Sequence, residues 1–596
     1  MLPRSKYIFK KYEISDKNKY IVYGDNIQES TQIIEWFCDF NKDVVLFESI
    51  EYASLSEYIY VFKINNEIFY FVARSYFRHG KLPDEVRRVI KELDKPDAVI
   101  YSVEKEKVIM GFETTSTTMA GNATWQRSGR IINFLEAEIP FGFLAYFSKL
   151  DKSDKNINKK PRTASKLFVL SFIALSLKYH VPALLGFFEH PDKKQNIDEL
   201  NPREDWRGPI FNYLLDLILG TDSTLSLRKC YKNMKDYYFL PDKNKERIKE
   251  FGIKALSYIE NDNFEDNIIS AISTKTNVPL FNESFSFKWR PKKILKRVSE
   301  LFSNIEFYQI SKNCRVGITF ETKKIVEVLN KKREFYTQDC FTKGVNNPTI
   351  IIPIKLTKWS NKENKFIPTD DPYNGEISAF SNIYLQSFPN SNILLLLTDH
   401  TGKEYIVEDS KKHKIYKAID KYADVMIDMN LNWFSVKSEN SKIDSKSKYE
   451  KEFITEDDVT SFFGTVLLKE GIKPSFINPP SGSWSDIHLY PTNKYIYYNK
   501  EEERGDIAYY YNGVYYVGES KKNSKLFYKK LDEEFRKTKN LGTIISNELN
   551  NEYPIKYFAL FNGTYEQAKK IVEESQFDYA VIVNDSEAIH LEIVEK

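Results

Sequence analysis

The chain has 596 residues, and its 87 Lys and Arg against 84 Asp and Glu give a formal net charge of +3. Its hydrophobic content of 42% lies near the globular norm of about 45–50%, which excludes a disordered polymer. The balanced charge excludes a histone-like basic tail, although a local positive groove can exist on a neutral protein. At about 100–200 residues per domain, the length predicts about three to five domains.

The cysteine pattern argues against a zinc module and against a disulfide scaffold. The four cysteines lie at positions 38, 230, 314 and 340, and none forms a CxxC pair. This usage is typical of the reducing cytoplasm. The opening segment, MLPRSKYIFKKYEISDKNKY, has no apolar core of the kind that a secretory signal needs. We therefore expect a cytoplasmic protein.

Residues 1–148 are predicted to form one α/β domain. Apolar residues at helical spacing, aromatic-rich runs and the turn signal Asn65-Asn66 define its elements. In chain order these are a helix at 26–40, strands at 58–64 and 67–73, a helix at 84–94, strands at 98–104 and 107–114, a helix from about Ala123 and a strand at 141–148.

A polar segment at 149–166 carries seven basic residues and fits either a solvated linker or a strip that contacts nucleic-acid phosphates. The region 167–302 is mostly helical in pattern. Its apolar stretch, 167–188, predicts a buried helix that ends near Pro182. A membrane span is the less favoured alternative, because polar residues interrupt the stretch before about 20 apolar residues accumulate.

The helix predicted at 287–302 mixes Trp289 with basic residues. Such a mixture can pair with phosphates and stack on bases, but a solvated helix face has the same composition. The candidate DNA contacts here are Lys288, Arg290, Lys292 and Lys293.

Residues 303–435 are predicted to form an α/β middle domain with a possible role in recognition. The short apolar runs 349–356 and 392–399 are typical of buried strands, and 418–429 is predicted to be a helix that packs on them. The Ser- and Lys-rich segment 436–452 has no core residues and is predicted to be a linker. It separates a C-terminal domain, 453–596.

The C-terminal domain contains the segment RGDIAYYYNGVYYVGESKKN, residues 504–523. Asn512-Gly513 is a strong hairpin signal, so Asp506 should begin one strand and Glu519-Ser520-Lys521 should end the next. Residues two apart on a strand share a face, which places Glu519 and Lys521 together and brings Asp506 alongside. The alternative is an ordinary exposed hairpin with a Glu–Lys pair.

Two carboxylates and a lysine at a strand end suit metal-assisted hydrolysis of a phosphodiester. Asp506 and Glu519 offer hard oxygen ligands for Mg²⁺, which polarises the phosphoryl group and activates water. Lys521 can orient or deprotonate that water and offset charge on the phosphate. The helix that follows adds Lys529 and Lys530 as candidate phosphate contacts.

The order Asp506, then Glu519-x-Lys521, on a hairpin followed by a helix resembles the PD-(D/E)xK nuclease superfamily, which includes type II restriction endonucleases. The resemblance covers residues 504–523 and departs from the name-giving motif at Gly505, where the family has proline. It implies a Mg²⁺-dependent endonuclease acting on double-stranded DNA, as a monomer or homodimer and without a membrane. A cognate DNA methyltransferase acting separately would be a partner in such a system.

Residues 95–130 resemble a second, imperfect copy of this pattern. Pro96-Asp97 is followed by a charged turn and by Glu113-Thr114-Thr115, with Thr115 in place of the lysine. Asp97 and Glu113 could hold a metal, Thr115 could hydrogen-bond a metal-bound water, and Gln126 or Arg127 could replace the missing lysine in activating that water. The alternatives are an active centre and a degenerate, DNA-binding or structural copy.

The sequence therefore predicts an α/β (α+β) fold with mixed-sheet nuclease-like domains at both ends and a helical and mixed region between them. The predicted function is a restriction endonuclease with two nuclease centres. A nuclease of defence or repair without sequence preference, a catalytically silent DNA-binding subunit and a large structural interaction protein are the alternatives. The absence of GxxxxGK[ST] argues against a P-loop motor.

Overall fold

The structure of the chain, a computed structural model, describes residues 1–76, 82–90, 95–115, 128–149, 162–164, 166–190, 205–240, 259–276, 278, 299, 302, 304–309, 315–331, 341, 343–355, 357–360, 364–368, 391–398, 423–428, 433–436, 455–477, 487–496 and 504–596. Both helices and mixed sheets are present in these ranges, which confirms the predicted α/β class.

The helices of the described residues are α1 (Ile27–Phe40), α2 (Asp84–Val89), α3 (Ser128–Glu136), α4 (Lys166–Tyr179), α5 (Arg207–Leu219), α6 (Thr224–Phe239), α7 (Phe264–Ser273), α8 (Thr322–Asn330), α9 (Glu456–Lys469), α10 (Ser524–Lys529), α11 (Leu531–Glu548) and α12 (Tyr565–Glu574). The strands are β1 (Lys6–Lys10), β2 (Lys19–Gly24), β3 (Val45–Ser54), β4 (Glu57–Ile64), β5 (Glu67–Ser75), β6 (Ala98–Ser102), β7 (Lys107–Thr115), β8 (Phe141–Tyr146), β9 (Ser148–Lys149), β10 (Arg162–Thr163), β11 (Ala183–Phe188), β12 (Glu306–Gln309), β13 (Arg315–Thr319), β14 (Thr349–Lys355), β15 (Thr357–Ser360), β16 (Lys365–Pro368), β17 (Asn392–Thr398), β18 (Val425–Asp428), β19 (Trp433–Val436), β20 (Pro474–Ile477), β21 (Ile487–Leu489), β22 (Lys494–Ile496), β23 (Ile507–Tyr511), β24 (Val514–Lys521), β25 (Ile555–Asn562), β26 (Tyr579–Asp585) and β27 (Ala588–Glu595).

The chain forms two compact units that do not follow its linear order. The first comprises Met1–Arg87, Asp97–Ile109 and Asp444–Lys596, and the second comprises Arg88–Pro96 and Met110–Ile443. The first unit therefore joins the start of the chain to its end. The predicted linkers, 149–166 and 436–452, lie largely outside the described residues, and the six-part domain division stays a prediction.

A seven-stranded sheet organises the C-terminal part of the first unit, in the order β1-β27-β26-β25-β24-β23-β20. Strands β24, β25 and β26 are parallel, and β1 from the start of the chain pairs antiparallel with β27. Helices α11 and α12 pack on this sheet through Leu541, Ile545 and Ile571, which are fully buried. The N-terminal strands of the same unit follow the order β3-β4-β5-β2-β6.

Both hairpins that asparagine turns predicted are present. Asn65 and Asn66 connect β4 to β5, and Asn512 and Gly513 connect β23 to β24. The backbone φ angles of these four residues are 50°, 67°, 48° and 81°. Asparagine and glycine tolerate this left-handed region at low cost, so the turn residues fix where each pair of strands reverses.

Helix α9 packs against the N-terminal segment of the first unit. Phe462 is fully buried, and its ring lies 5.0 Å from that of Tyr52 and 5.7 Å from that of Phe9. At the end of the helix, the Lys469 ammonium donates to the carbonyl of Ile50 at 2.8 Å. The start of the chain thereby fixes the position of α9, which lies far away in sequence.

In the second unit, a six-stranded sheet has the order β12-β13-β14-β17-β18-β19. The apolar runs predicted as buried strands form β14 and β17, which pair in parallel. The predicted helix at 418–429 is wrong over Val425–Asp428, because this segment is β18 and pairs in parallel with β17. Val425, Met426 and Ile427 are all buried, and periodicity cannot separate a short apolar run of this kind from a buried helix.

The apolar stretch predicted as a buried helix forms two elements. Helix α4 ends at Tyr179, before Pro182, as predicted, and the remaining residues form β11, which is buried along its whole length. β11 pairs in parallel with β8. None of the helices in the described ranges is long and apolar enough to cross a membrane.

We predict that Phe462→Ala lowers the free energy of unfolding by about 3–5 kcal/mol, because it leaves a cavity between the rings that surround Phe462. Chemical denaturation followed by circular dichroism measures the change. Leu468→Ala is the control on the same helix, since this side chain is 37% exposed and should cost less than about 1 kcal/mol. Equal losses of unfolding free energy in the two variants would show that Phe462 does not hold α9 against the N-terminal segment.

Candidate metal centre

The β23–β24 hairpin places the predicted residues as expected. Asp506 directly precedes β23, and its amide donates to the carbonyl of Gly518 on β24 at 2.8 Å. Glu519 and Lys521 end β24, and Lys521 Nζ lies 2.6 Å from Glu519 Oε1. This contact confirms the prediction, made from strand alternation, that the two side chains share a face of the sheet.

Gly505, which stands where the family motif has proline, has a steric explanation. A Cβ atom at this position would lie 2.8 Å from the carbonyl oxygen of Gly518 and 3.3 Å from Cα of Thr538. The 2.8 Å distance from this Cβ to the Gly518 oxygen is shorter than the Cβ contacts found in proteins. The close approach of β24 and α11 therefore requires glycine immediately before Asp506.

A third carboxylate reaches the hairpin from α9. Ligand oxygens of Glu456, Asp506 and Glu519 all lie within 4.8 Å of one another. Glu456 is the first residue of α9, and its position is set by the capping contact in which the Thr455 amide donates to Asp458 Oδ2 at 2.8 Å. Glu456 was not among the site residues predicted from the sequence, because an acidic residue in a first helical turn is also favoured by the helix dipole.

The ammonium group of Lys521 lies at the centre of the acidic residues. Besides Glu519, it lies 3.3 Å from Glu456 Oε1 and 3.5 Å from Glu534 Oε2, and it donates to the carbonyl of Ser520 at 2.8 Å. Burial alone would lower the pKa of Lys521, but the charges of Glu519, Asp506 and Glu456 raise it above its ordinary value. Lys521 is therefore protonated and carries a positive charge.

Glu534 and Lys537 on α11 extend this network. Glu534 is almost fully buried, and its Oε2 lies 3.0 Å from Lys537 Nζ. Burial would raise the pKa of Glu534, but the contact with Glu519 and the charges of Lys521 and Lys537 outweigh it and lower that pKa. Glu534 was not predicted from the sequence, and the ammonium of Lys537 pairs with it.

The two carboxyls closest to Lys521 resist ionisation. Burial and the charge of Asp506 raise the pKa of Glu456 to about 7. Burial, Asp506 and the adjacent carboxyl of Glu534 raise the pKa of Glu519 well above its ordinary value, against the effect of Lys521. Protons thus compensate part of the negative charge of this site.

The donor set fits a divalent cation. Four carboxylates (Glu456, Asp506, Glu519 and Glu534) and two lysines (Lys521 and Lys537) surround the site. When all six are ionised, their charges of −4 and +2 leave −2, which one divalent cation would balance. In addition, Oε2 of Glu519 is buried and meets no hydrogen-bond donor among the described residues. Oxygen ligands of this kind suit Mg²⁺.

The residues of the second, imperfect motif at 95–130 have a different environment from those of the C-terminal motif. Asp97 directly precedes β6 in the first unit, and Thr115 ends β7. Glu113 on β7 is fully buried, and Nη1 of Arg130 on α3 donates to both of its carboxylate oxygens at 2.6 Å. The carboxylate of Glu113, which was predicted to hold a metal, is thus paired with the guanidinium of Arg130. Gln126 and Arg127 lie outside the described residues.

Few of the predicted DNA contacts fall on described residues. Lys288, Arg290, Lys292 and Lys293 lie outside them. Lys529 is exposed at the end of α10. Lys530 is exposed just after it and pairs with Glu533, with Nζ 3.1 Å from Oε2. These two lysines lie within ten residues of Lys521 in sequence, on the helical connection that follows β24.

Comparisons of the chain with protein-family models, with curated proteins and with solved structures find no match.

We predict that Mg²⁺ raises the melting temperature more at pH 8 than at pH 6. A carboxyl whose pKa is raised by folding stabilises the folded state at low pH, and that stabilisation is lost as the pH rises from about 4.5 through about 7 for Glu456. Mg²⁺ binds the ionised carboxylates and should restore the lost stability, as measured by differential scanning calorimetry.

Glu456→Gln is the matched variant for this measurement. It keeps the size of the side chain and removes its titration, so the difference between the two pH values should shrink. An equal effect of Mg²⁺ at both pH values in the unmodified protein would contradict the assignment of these carboxyls to a metal centre.

Proposed function

We propose that the chain is a Mg²⁺-dependent endonuclease that hydrolyses phosphodiester bonds of double-stranded DNA. The observation that carries this proposal is the meeting of Glu456, Asp506 and Glu519 within 4.8 Å, with the Lys521 ammonium 2.6 Å from Glu519. A metal-binding carboxylate group beside a buried cation is suited to phosphoryl chemistry, in which negative charge builds on the phosphate.

The roles of the side chains follow from their charges. A bound Mg²⁺ ion supplies Lewis acidity and makes a nearby water a better nucleophile. Glu456, Asp506 and Glu519 would hold the ion. Lys521 is kept cationic by its carboxylate neighbours, so it would donate a hydrogen bond to the water or to the phosphate and would not remove a proton.

We favour one centre in each chain over the predicted two. Glu113 already has a cationic partner in Arg130, which neutralises the charge that would attract a metal. An enzyme with one centre cuts both strands of a duplex either by binding twice or as a homodimer. More specifically, we propose a restriction endonuclease that acts alongside a separate DNA methyltransferase, which protects the host DNA.

The test is cleavage of a supercoiled plasmid with Mg²⁺. We predict that the unmodified protein cleaves and that Asp506→Asn reduces the rate by at least about 100-fold, because it removes one charged ligand. Asp532→Asn is the control, since Asp532 is an exposed residue of the first turn of α11. Discrete fragments indicate restriction and a smear indicates cutting without sequence preference. Binding without cleavage by the folded protein would favour a silent DNA-binding subunit and contradict the proposal.

The number of centres has its own test. If there is one centre, Asp97→Asn should leave the yields of nicked and linear plasmid unchanged, because the N-terminal carboxylates take no part in cutting. Time courses on agarose gels separate these two products. Accumulation of nicked plasmid with Asp97→Asn, and equally with Asp506→Asn, would show that each centre cuts one strand.

A further inference from the structure

Two buried hydroxyl groups connect α9 to the metal centre. Thr460 on α9 and Ser520 on β24 are 2% and 0% exposed, and their hydroxyl oxygens are hydrogen-bonded to each other. Ser520 Oγ also lies 3.0 Å from Asp506 Oδ2, which in addition accepts the Ser520 amide at 2.9 Å. Neither hydroxyl was identified from the sequence.

The two hydroxyls also bond to the residues that carry the carboxylates. The Thr460 hydroxyl donates to the backbone carbonyl of Glu456 at 2.9 Å, and the Ser520 hydroxyl donates to Asp506 Oδ2. In the bond between the two hydroxyls, either oxygen can be the donor. A continuous set of hydrogen bonds thus connects α9 to the carboxylate of Asp506.

Strand alternation explains why this contact exists. Glu519 and Lys521 face α11, where Lys521 contacts Glu534, and Ser520 between them faces the opposite side of β24 and meets α9. Thr460 lies one turn after Glu456, so the same helix turn presents one ligand of the centre and restrains another. The contact between Thr460 and Ser520 therefore joins the helix that bears Glu456 to the strand residue that bonds to Asp506.

We infer that Thr460 and Ser520 are positioning residues that orient Asp506 for the divalent cation and set its distance from Glu456. This inference rests on the metal centre of the proposed function. Hydrogen bonds to metal ligands typically change metal affinity by 10–100-fold when they are removed. The hydroxyls would therefore control occupancy of the centre without touching the metal or the DNA.

The test compares threonine variants on α9 in the full chain. Thr460→Val keeps the shape of the side chain and removes its hydroxyl, and it should weaken Mn²⁺ binding, measured by isothermal titration calorimetry, by about 10-fold. The Mg²⁺ concentration for half-maximal cleavage should rise in parallel. Thr460→Ser retains the hydroxyl and should bind Mn²⁺ as the unmodified protein does.

Thr465→Val is the matched control. Thr465 is also buried on α9, but its hydroxyl bonds to the carbonyl of Phe462, away from the carboxylates. Circular dichroism checks the fold of each variant, and Ser520→Ala replaces Thr460→Val if the latter does not fold. A weakening specific to the Thr460 or Ser520 hydroxyl supports the inference.

Two outcomes overturn the inference, and they are distinguishable from failure of the metal centre itself. If Thr460→Val binds Mn²⁺ as tightly as the unmodified protein, or if Thr465→Val is weakened equally, the hydroxyls do not position Asp506 and the proposed function is untouched. If the unmodified protein does not bind Mn²⁺, both the inference and the metal centre are overturned.

Discussion

The burial of several carboxylates around the ammonium group of Lys521 is the constraint on which the rest of the site depends. Buried charges are costly unless they are paired, and the six ionisable groups of this site have a net charge of −2 when all are ionised. Burial and the charge of Asp506 raise the pKa values of Glu456 and Glu519, so protons compensate part of this charge. A divalent cation compensates it without those protons. The energetic cost of assembling the acidic groups is therefore also the basis of their proposed affinity for a metal.

The elements that hold these charged groups together come from distant parts of the chain. The hairpin brings Asp506 to Glu519, α9 brings Glu456, and α11 brings Glu534 and Lys537. The N-terminal segment supports α9 through the rings around Phe462 and extends the central sheet through the pairing of β1 with β27. The start of the chain is thus part of the structure that holds the C-terminal site.

Local signals made the hairpin and its three polar residues predictable. The turn at Asn512-Gly513 sets the register, and alternation then decides that Glu519 and Lys521 share a face. Glu456 could not be found in this way, because fifty residues separate it from Asp506 and only tertiary packing unites them. The pairing of Arg130 with Glu113 was missed for the same reason. β18 was assigned to a helix because a short apolar run has no decisive period, and its place beside β17 depends on non-local pairing.

A crystal structure of the protein grown with Mn²⁺, with anomalous diffraction data collected at the manganese edge, tests the metal centre most directly. We expect an anomalous peak within coordination distance of oxygens of Glu456, Asp506 and Glu519, with the Lys521 ammonium nearby but not bound to the metal. Absence of a peak at these three carboxylates, at a Mn²⁺ concentration that supports cleavage, would contradict it. A peak at Glu113 instead would move the centre to the N-terminal pattern.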